Sequence, residues 1–579
     1  MTPASGKRLA HLQRGFALIA ILALAALITA FIIASALNRT PADIVNERED
    51  RSMSALRKAK AALIAYAANE QWQLYKTPPP PPLSNTGYFQ PGALPCPDKD
   101  DDGDADCTGS NTASMIGRLP WKTIGAEDLR DASGERIWYA VSHDFRKLQC
   151  SGVIVPPNCT IINSDTQGQL TVIGTSPATQ AVAVLFAPGE AVSSQNRDPT
   201  NTIAHNDPLN YLEGPPNLSD SVNFVFTSAP VSTAPPNPFN DRVLVITKAE
   251  LMAAVEPVVA ANIERDVKPL LANYFSVWGR YPFAVPFVSP STVQGAYLGA
   301  SPQTQGLLPV TNTATFAWQN ATVTQTGGAA GTVVDSSNCS INSSTLLLSC
   351  FVHYTNGFDS NSARPEIRID VTLSNVNNAF ADAPASAPSP WNLNMRDGNN
   401  NVPTYQGIPY GYWSAAPSGA SLVPTQSFAA GTLTYTGRLQ NANSMNNAAT
   451  ITTTLPAPPG LLPRLTNPTG TNPNIVWYLT NQWYRQTYYA VAAGLVPNGS
   501  GSCTPPNCLT VNKIAGTTNN KQAILILTGR ALDGQARPPA PVTITDYLEG
   551  QNATPADSVF EHRAGGPTSI NDRVVVVAP

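Results

Sequence analysis

The chain has 579 residues, enough for roughly two to four domains with cores of their own. Only 13% of residues are charged and the formal net charge is -4, which excludes a basic field that would draw in nucleic acid or an anionic membrane surface. With 53 Pro and 39 Gly beside 42% apolar residues, the composition excludes a highly charged disordered chain and fits folded, turn-rich β structure.

Phe16 to Leu37 is an uncharged, almost wholly apolar run of 22 residues. As a helix it would be about 33 Å long, sufficient to cross a bilayer. Lys7, Arg8 and Arg14 precede it, and the positive-inside rule keeps that leader in the cytoplasm and exports the chain beyond Leu37. The residues by themselves admit a secretory signal cut near Ala34-Ser35-Ala36 or an uncleaved anchor. Asp43 to Glu70 then predicts an amphipathic helix, with Met53, Leu56, Ala59, Leu63 and Tyr66 on one side and Arg57, Lys58 and Lys60 outward. Pro41 is placed to kink it, and Pro78 to Pro82 ends it in an extended stretch.

Next comes Cys96-Pro97-Asp98-Lys99-Asp100-Asp101-Asp102-Gly103-Asp104-Ala105-Asp106-Cys107. Asp98, Asp100 and Asp102, with Gly103 directly after them, have the spacing of the first half of a calcium loop, with Asp104 and Asp106 as further donors. The twelfth position is Gly109 rather than the bidentate Glu, so the expectation is a structural calcium site in a closed Asp loop, against a solvated acidic turn.

The rest of the chain contains an internal repeat. Tyr139-Ala140-Val141, Pro156-Pro157-Asn158-Cys159, Gln180 to Phe186, Tyr211-Leu212-Glu213-Gly214, Asp220-Ser221 and Asn240-Asp241-Arg242-Val243 recur in the same order as Tyr489-Ala490-Val491, Pro505-Pro506-Asn507-Cys508, Gln522 to Leu527, Tyr547-Leu548-Glu549-Gly550, Asp557-Ser558 and Asn571-Asp572-Arg573-Val574. A repeat this long means duplicated modules rather than a solenoid. Thr247-Lys248-Ala249-Glu250 reads as a capping box that opens the helix of the second module, with Pro257 and Pro269 placed to kink or divide it. From about 310 to 465 the second copy carries an insertion rich in Thr, Asn, Ser and Gly, with alternating strand-like runs. It reads as a β-sandwich-like or elaborated-sheet insert, either a contact surface or an ordinary β domain.

The eight cysteines fall into four close couples, Cys96-Cys107, Cys150-Cys159, Cys339-Cys350 and Cys503-Cys508, which suggest disulfides and an oxidising compartment; a metal site or free thiols is the alternative. His11, His143, His205, His353 and His562 are scattered, and no HExxH, GxSxG, phosphate loop or dinucleotide fingerprint occurs, so no enzyme is expected. Asp128, Asp131 and Glu135, around Arg130 and Arg136, read as a salt-bridged turn rather than a catalytic group.

Gln13-Arg14-Gly15-Phe16-Ala17-Leu18-Ile19 resembles a type IV prepilin leader, and the amphipathic helix beyond it is similar to that of the pilin-like family. Leu94 to Asp98, Gly117 to Trp121 and Asp128 to Ala140 also look like large prepilin-type proteins. The resemblance implies cleavage by a prepilin peptidase between Gly15 and Phe16, with methylation of Phe16. It implies an α+β fold: leader 1–15, transmembrane pilin helix 16–37, and two pilin-like modules at 38–246 and 247–579, each a long helix on an antiparallel sheet. Ala20 stands where most pilins carry Glu, which points to a terminal subunit. The function so implied is a non-enzymatic minor pilin or pseudopilin, a tip or initiating subunit of a type IV pilus or type II secretion pseudopilus. Its partners would be other pilin or pseudopilin subunits, the prepilin peptidase and the inner membrane, with the head in the periplasm or at a filament tip. A membrane-anchored extracytoplasmic adhesin or binding protein is the alternative, and an exported hydrolase a third.

Overall fold

The computed structural model describes residues 20–31, 41–69, 90–107, 113–146, 161–192, 195–214, 217–232, 238–311 apart from 288–289, 292–293 and 300, the backbone of the strands within 319–454, residue 461, and 475–579 apart from 498, 538–541, 555–556 and 563–569. Residues 20–31 are helical. Among the described residues no helix is long and apolar enough to cross a membrane. The expected fold, opening on a transmembrane pilin helix at 16–37, is corrected accordingly to an α+β protein with several sheets and helices. The minor pilin or pseudopilin function, the membrane-anchored adhesin and the single-pass inner-membrane location with a periplasmic or filament-tip head all needed that helix and are set aside with it.

Helix α1 (Pro41–Asn69) starts with Pro41, whose missing N–H has no intrahelical partner to lose at a helix start. Leu56, Ala59, Leu63 and Ala67 recur at three and four residues and are fully buried. Lys60, expected outward, instead donates to the Val245 carbonyl (2.7 Å) and Glu250 (2.6 Å), its aliphatic stem lying along the neighbouring elements.

The first sheet orders β1 (Met115–Arg118), β2 (Trp138–Val141), β5 (Ala183–Ala187) and β7 (Arg242–Ile246), all antiparallel. Side chains alternate across it. Tyr139, Val141 and Leu185 join the core under α1, while Trp138, Ala140, Val184 and Phe186 join a second core under a small sheet of β3 (Leu170–Gly174), β4 (Ala178–Ala181) and β6 (Val225–Ser228), where β3 and β6 run parallel.

The second module has the same wiring. A Thr247–Glu250 capping box opens α2 (Lys248–Asn262), which passes through a π-helical turn (Ile263–Val267) into α3 (Lys268–Trp278). Pro269 cannot donate to the carbonyl four residues back, and the wider turn lies just before it. The helices pack on a sheet ordered β8 (Gln305–Leu307), β19 (Thr487–Val491), β21 (Ala523–Leu527) and β23 (Arg573–Ala578), again antiparallel, with a parallel pair, β20 (Thr510–Asn512) and β22 (Val559–Glu561), at its side. The buried hydroxyls of Tyr139 and Tyr489 make matching bonds, to the carbonyls of Pro95 and Pro282, both at 3.1 Å.

Between β8 and β19 the backbone forms two antiparallel four-stranded sheets. One is β10 (Val334–Asn342), β11 (Leu347–Tyr354), β12 (Glu366–Leu373) and β13 (Trp391–Arg396); the other is β16 (Thr425–Ala429), β17 (Thr432–Gln440), β18 (Asn446–Thr454) and β9 (Gln319–Thr326). A short hairpin, β14 (Thr404–Tyr405) with β15 (Ile408–Pro409), lies between them in sequence.

The modules share one hydrophobic core and a polar seam. Module one's segment 162–166 enters module two. Ile162 N–H and Asn163 Nδ2 bond Asn481, Ser164 N–H bonds Gln486, and Asp165 accepts from Arg537 and Tyr547. Ser164 Oγ also donates to Glu256 on α2 (2.9 Å), a wholly buried carboxylate held besides by the backbone N–H and guanidinium of Arg530. The corresponding pair in module one has its charges reversed and lies open: Arg48 and Glu190, 2.7 Å apart, are 54% and 62% exposed. Glu256→Ala strands buried donors from both modules, so it is expected to lower stability by about 3 kcal/mol or more. Arg48→Ala is expected to change it by under about 1 kcal/mol. Denaturant unfolding of the two variants checks the difference.

Candidate metal centre

The Asp loop hangs from the edge of the first sheet. Asp98 makes a two-bond backbone bridge with Arg118 of β1, and a disulfide joins Cys96 to Cys107 across a Cα separation of 5.2 Å. Between these ties the chain folds through its own carboxylates, as alternate aspartates do when each bonds the amide two residues on. Asp98 Oδ1 accepts from the N–H groups of Asp100 (3.2 Å) and Asp101 (2.7 Å), and its Oδ2 from Gly103 N–H (2.7 Å). Asp100 accepts from Asp102 N–H, Asp102 from Asp104 N–H, and Asp106 from Lys99 N–H. Asp101 and Gly103 take left-handed backbone conformations, φ 73° and 91°, to complete the turn.

The folding brings together carboxylate oxygens of Asp98, Asp100 and Asp106, all within 4.8 Å of one another. That spacing suits three ligands sharing one cation, since hard cations bind oxygen at about 2.0–2.6 Å. Asp98 Oδ1 already holds two N–H groups, whereas Asp98 Oδ2, Asp100 Oδ1 and Asp106 Oδ2 hold one each and keep a second lone pair. Burial raises the Asp98 carboxyl above its usual range; its backbone N–H bonds oppose this, and the charges of Asp101 and Asp102 add to it. A bound cation would offset both the burial and the repulsion. The loop is thus an Asp cluster, buried at Asp98, that can hold a metal ion.

Of the five expected ligands, Asp102 and Asp104 fall outside this cluster. Lys122, from the turn after β1, bonds the Asp102 carbonyl and comes within 3.9 Å of Asp104.

Asp101 points the other way, into a network that sequence reading missed. Its carboxylate meets Arg118 Nε (3.0 Å), Arg136 Nη1 (2.5 Å) and His205 Nε2 (3.1 Å), and His205 Nδ1 meets Tyr211 Oη (3.1 Å). Burial acts to raise the Asp101 carboxyl, but His205, Arg136 and Arg118 outweigh it and hold it below its usual range. Arg118 also lies over the rings of Trp138 and Tyr211, at 5.0 and 5.3 Å. Tyr211 is buried and its oxygen accepts from Arg118, so the chain of groups ends in the core and serves to fix the loop. In module two Asp165 accepts directly from Arg537 and from the hydroxyl of buried Tyr547, both at 3.1 Å, whereas Asp101 reaches Tyr211 through His205.

Asp128 pairs with Arg130 and Arg136, Glu135 with Arg197, and Asp131 accepts three backbone N–H groups, the geometry of a braced turn. His143 Nδ1 lies 2.7 Å from Asp144, yet adjacent Ser142 gives its hydroxyl proton to Gln169, so this serine is not activated by a base. Cys503 and Cys508 form a disulfide with a Cα separation of 5.1 Å. Cys339 and Cys350 stand opposite each other in the β10–β11 register. Gly15, Phe16 and the Cys150-Cys159 couple lie outside the described residues.

No family model matches this chain, and neither a curated protein nor a solved structure matches it significantly.

Gly103 is the loop's tightest point: a Cβ there would stand 2.5 Å from Trp121 Nε1, on top of the left-handed φ. Gly103→Ala is therefore expected to cost about 1–3 kcal/mol, and to shift Trp121 fluorescence while leaving far-ultraviolet circular dichroism unchanged. Unchanged stability would mean that the loop does not pack as described.

Proposed function

We propose that the Asp98–Asp100–Asp106 cluster is a structural calcium site and that the chain is a non-enzymatic two-module scaffold folded under oxidising conditions, which presents the insertion between β8 and β19. The observation that carries this reading is the convergence of three carboxylates within a disulfide-closed loop. The donors are all oxygen, with no imidazole or thiolate among them, which disfavours zinc and copper. A loop whose ligands sit on successive flexible turns suits calcium's variable geometry better than the strict octahedron of magnesium. Backbone carbonyls and water complete the usual six to eight ligands in such sites.

The proposed role of the cation is mechanical. Asp101 lies inside the loop that Asp98, Asp100 and Asp106 close, so fixing those three fixes the carboxylate that Arg118, Arg136 and His205 grip. The loop thereby ties β1 to the one-turn helix Thr202–His205 beside the small sheet. Support for a non-enzymatic reading comes from the same geometry: these carboxylates are engaged with backbone amides and arginines, and His205 beside them is held between Asp101 and Tyr211.

At calcium concentrations near a hundred times Kd, binding adds about 2.7 kcal/mol to stability. Thermal unfolding is expected to rise by a few degrees in calcium, by less in magnesium, and not at all in Asp100→Asn or Asp106→Asn, whereas Asp104→Asn keeps the response. A wild-type chain indifferent to calcium, or an Asp100→Asn variant that responds fully, would overturn the assignment.

A further inference from the structure

Both modules contain a contact between two buried carboxyl groups that lies apart from the metal centre. In the first, the Tyr211-Leu212-Glu213-Gly214 loop closes on Asn240-Asp241 at the start of β7. Glu213 N–H donates to Asp241 Oδ2 (2.7 Å), while the N–H groups of Asn240 (2.9 Å) and Asp241 (3.1 Å) donate back to Glu213 Oε2. Gln195 Nε2 holds the other glutamate oxygen at 2.8 Å. The second module repeats each bond at the start of β23: Glu549 N–H to Asp572 Oδ2 (2.9 Å), Asn571 and Asp572 N–H to Glu549 Oε2 (3.0 and 3.2 Å), and Gln535 Nε2 to Glu549 Oε1 (3.0 Å). Asn552 Nδ2 adds a bond to Asp572 Oδ2 (3.1 Å).

These are enclosed sites. Asp241 and Asp572 are 3% and 0% exposed, and Glu213 and Glu549 are 9% each. In both modules the same atom, Oδ1 of the aspartate, is buried without a hydrogen-bond partner. An unmet acceptor recurring at one atom of a duplicated motif, with a second carboxyl group beside it, is the pattern expected where one of the two carboxyl groups carries a proton. Arg197 opposes protonation of the first pair through its charge, but burial outweighs it, and the ion pairs of the surrounding arginines lie elsewhere. Arg197 faces the first pair and binds Glu135 (3.3 Å); Arg242, next in the chain, binds Glu49 (3.2 Å). Beside the second pair, Arg537 binds Asp165 (3.1 Å) and Arg530 binds Glu256 (2.9 Å), with Arg573 in the field of that same glutamate.

We propose that Glu213–Asp241 and Glu549–Asp572 are proton-sharing latches, one per module, in which a proton on the aspartate Oδ1 is shared with the glutamate and holds an edge strand, β7 or β23, to the loop that crosses it. No bond is broken and no other reactant is needed: the latch closes by taking one proton from solvent and opens by returning it. Burial first, and then the charge of the neighbouring glutamate, hold both aspartates well above the usual carboxylate range. An unfolded aspartate titrates near 3.9. The stability each latch contributes is therefore fully present below about pH 4 and is lost as pH rises through the folded-state value.

Infrared difference spectroscopy of the full chain and the Asp241→Asn/Asp572→Asn double variant tests this directly. The wild type at neutral pH is expected to show protonated-carboxyl absorption that the double variant lacks. Denaturant unfolding across a pH series is expected to show stability falling with pH in the wild type, with that slope reduced in the double variant, where an amide N–H replaces the shared proton at every pH, and by about half as much in each single variant. If the double variant does not fold, the two single variants and the wild-type spectrum decide. Wild-type carboxyl absorption absent at neutral pH, or unchanged in the variants together with an unaltered pH slope, would overturn the proposal.

Discussion

The buried carboxylate of Glu256 is the constraint on which the two-module arrangement rests. A charge removed from water must be met by donors, and Glu256 takes them from Ser164 of module one and from Arg530 of module two, while its own helix belongs to module two. Burial raises its carboxyl above the usual range, and the Arg530 charge with the Ser164 and Arg530 bonds works against that rise. The apolar groups alone would let the two helices slide, because hydrophobic contact is not directional. The seam of Ser164, Asp165, Asn481 and Gln486 fixes one register, and around it the cores under both sheets merge.

Duplication and later divergence account for the rest of the pattern. Each sheet keeps the same order, the same buried tyrosine bonded to a proline carbonyl, and the same carboxyl latch at its edge strand. What differs is the acid that meets the arginine lying over the buried tyrosine. Arg197, over Tyr211, pairs with Glu135 of its own module, whereas Arg537, over Tyr547, pairs with Asp165 of the neighbouring one. Among the described residues the three-carboxylate cluster lies in module one alone.

Local features were legible in the sequence and tertiary ones were not. The Thr247–Glu250 box works within four residues, so its pattern alone predicts the observed reciprocal bonds. The recurrence of Tyr-Leu-Glu-Gly and Asn-Asp-Arg marked both latches, though nothing in the linear order of residues says that the glutamate of one meets the aspartate of the other. The alternating aspartates marked the loop, but their spacing could not show which three carboxylates converge or that Lys122 lies against Asp102 and Asp104. Asp101, Arg118, His205 and Tyr211 are separated by up to about a hundred residues and carry no shared pattern, and segment 162–166 has no periodicity to announce it. The apolar run at 16–37 pointed to a spanning helix, but among the described residues no helix is long and apolar enough to cross a membrane.

The metal loop and the function argued from it meet in a single observable. Crystals of the full chain grown with calcium, with data collected at a wavelength where calcium scatters anomalously, locate the ion without any variant. The account predicts one strong anomalous peak bonded at about 2.3–2.6 Å to carboxylate oxygens of Asp98, Asp100 and Asp106, with Asp104 outside the coordination sphere. A peak elsewhere on the chain, or none at that loop in saturating calcium, would contradict it.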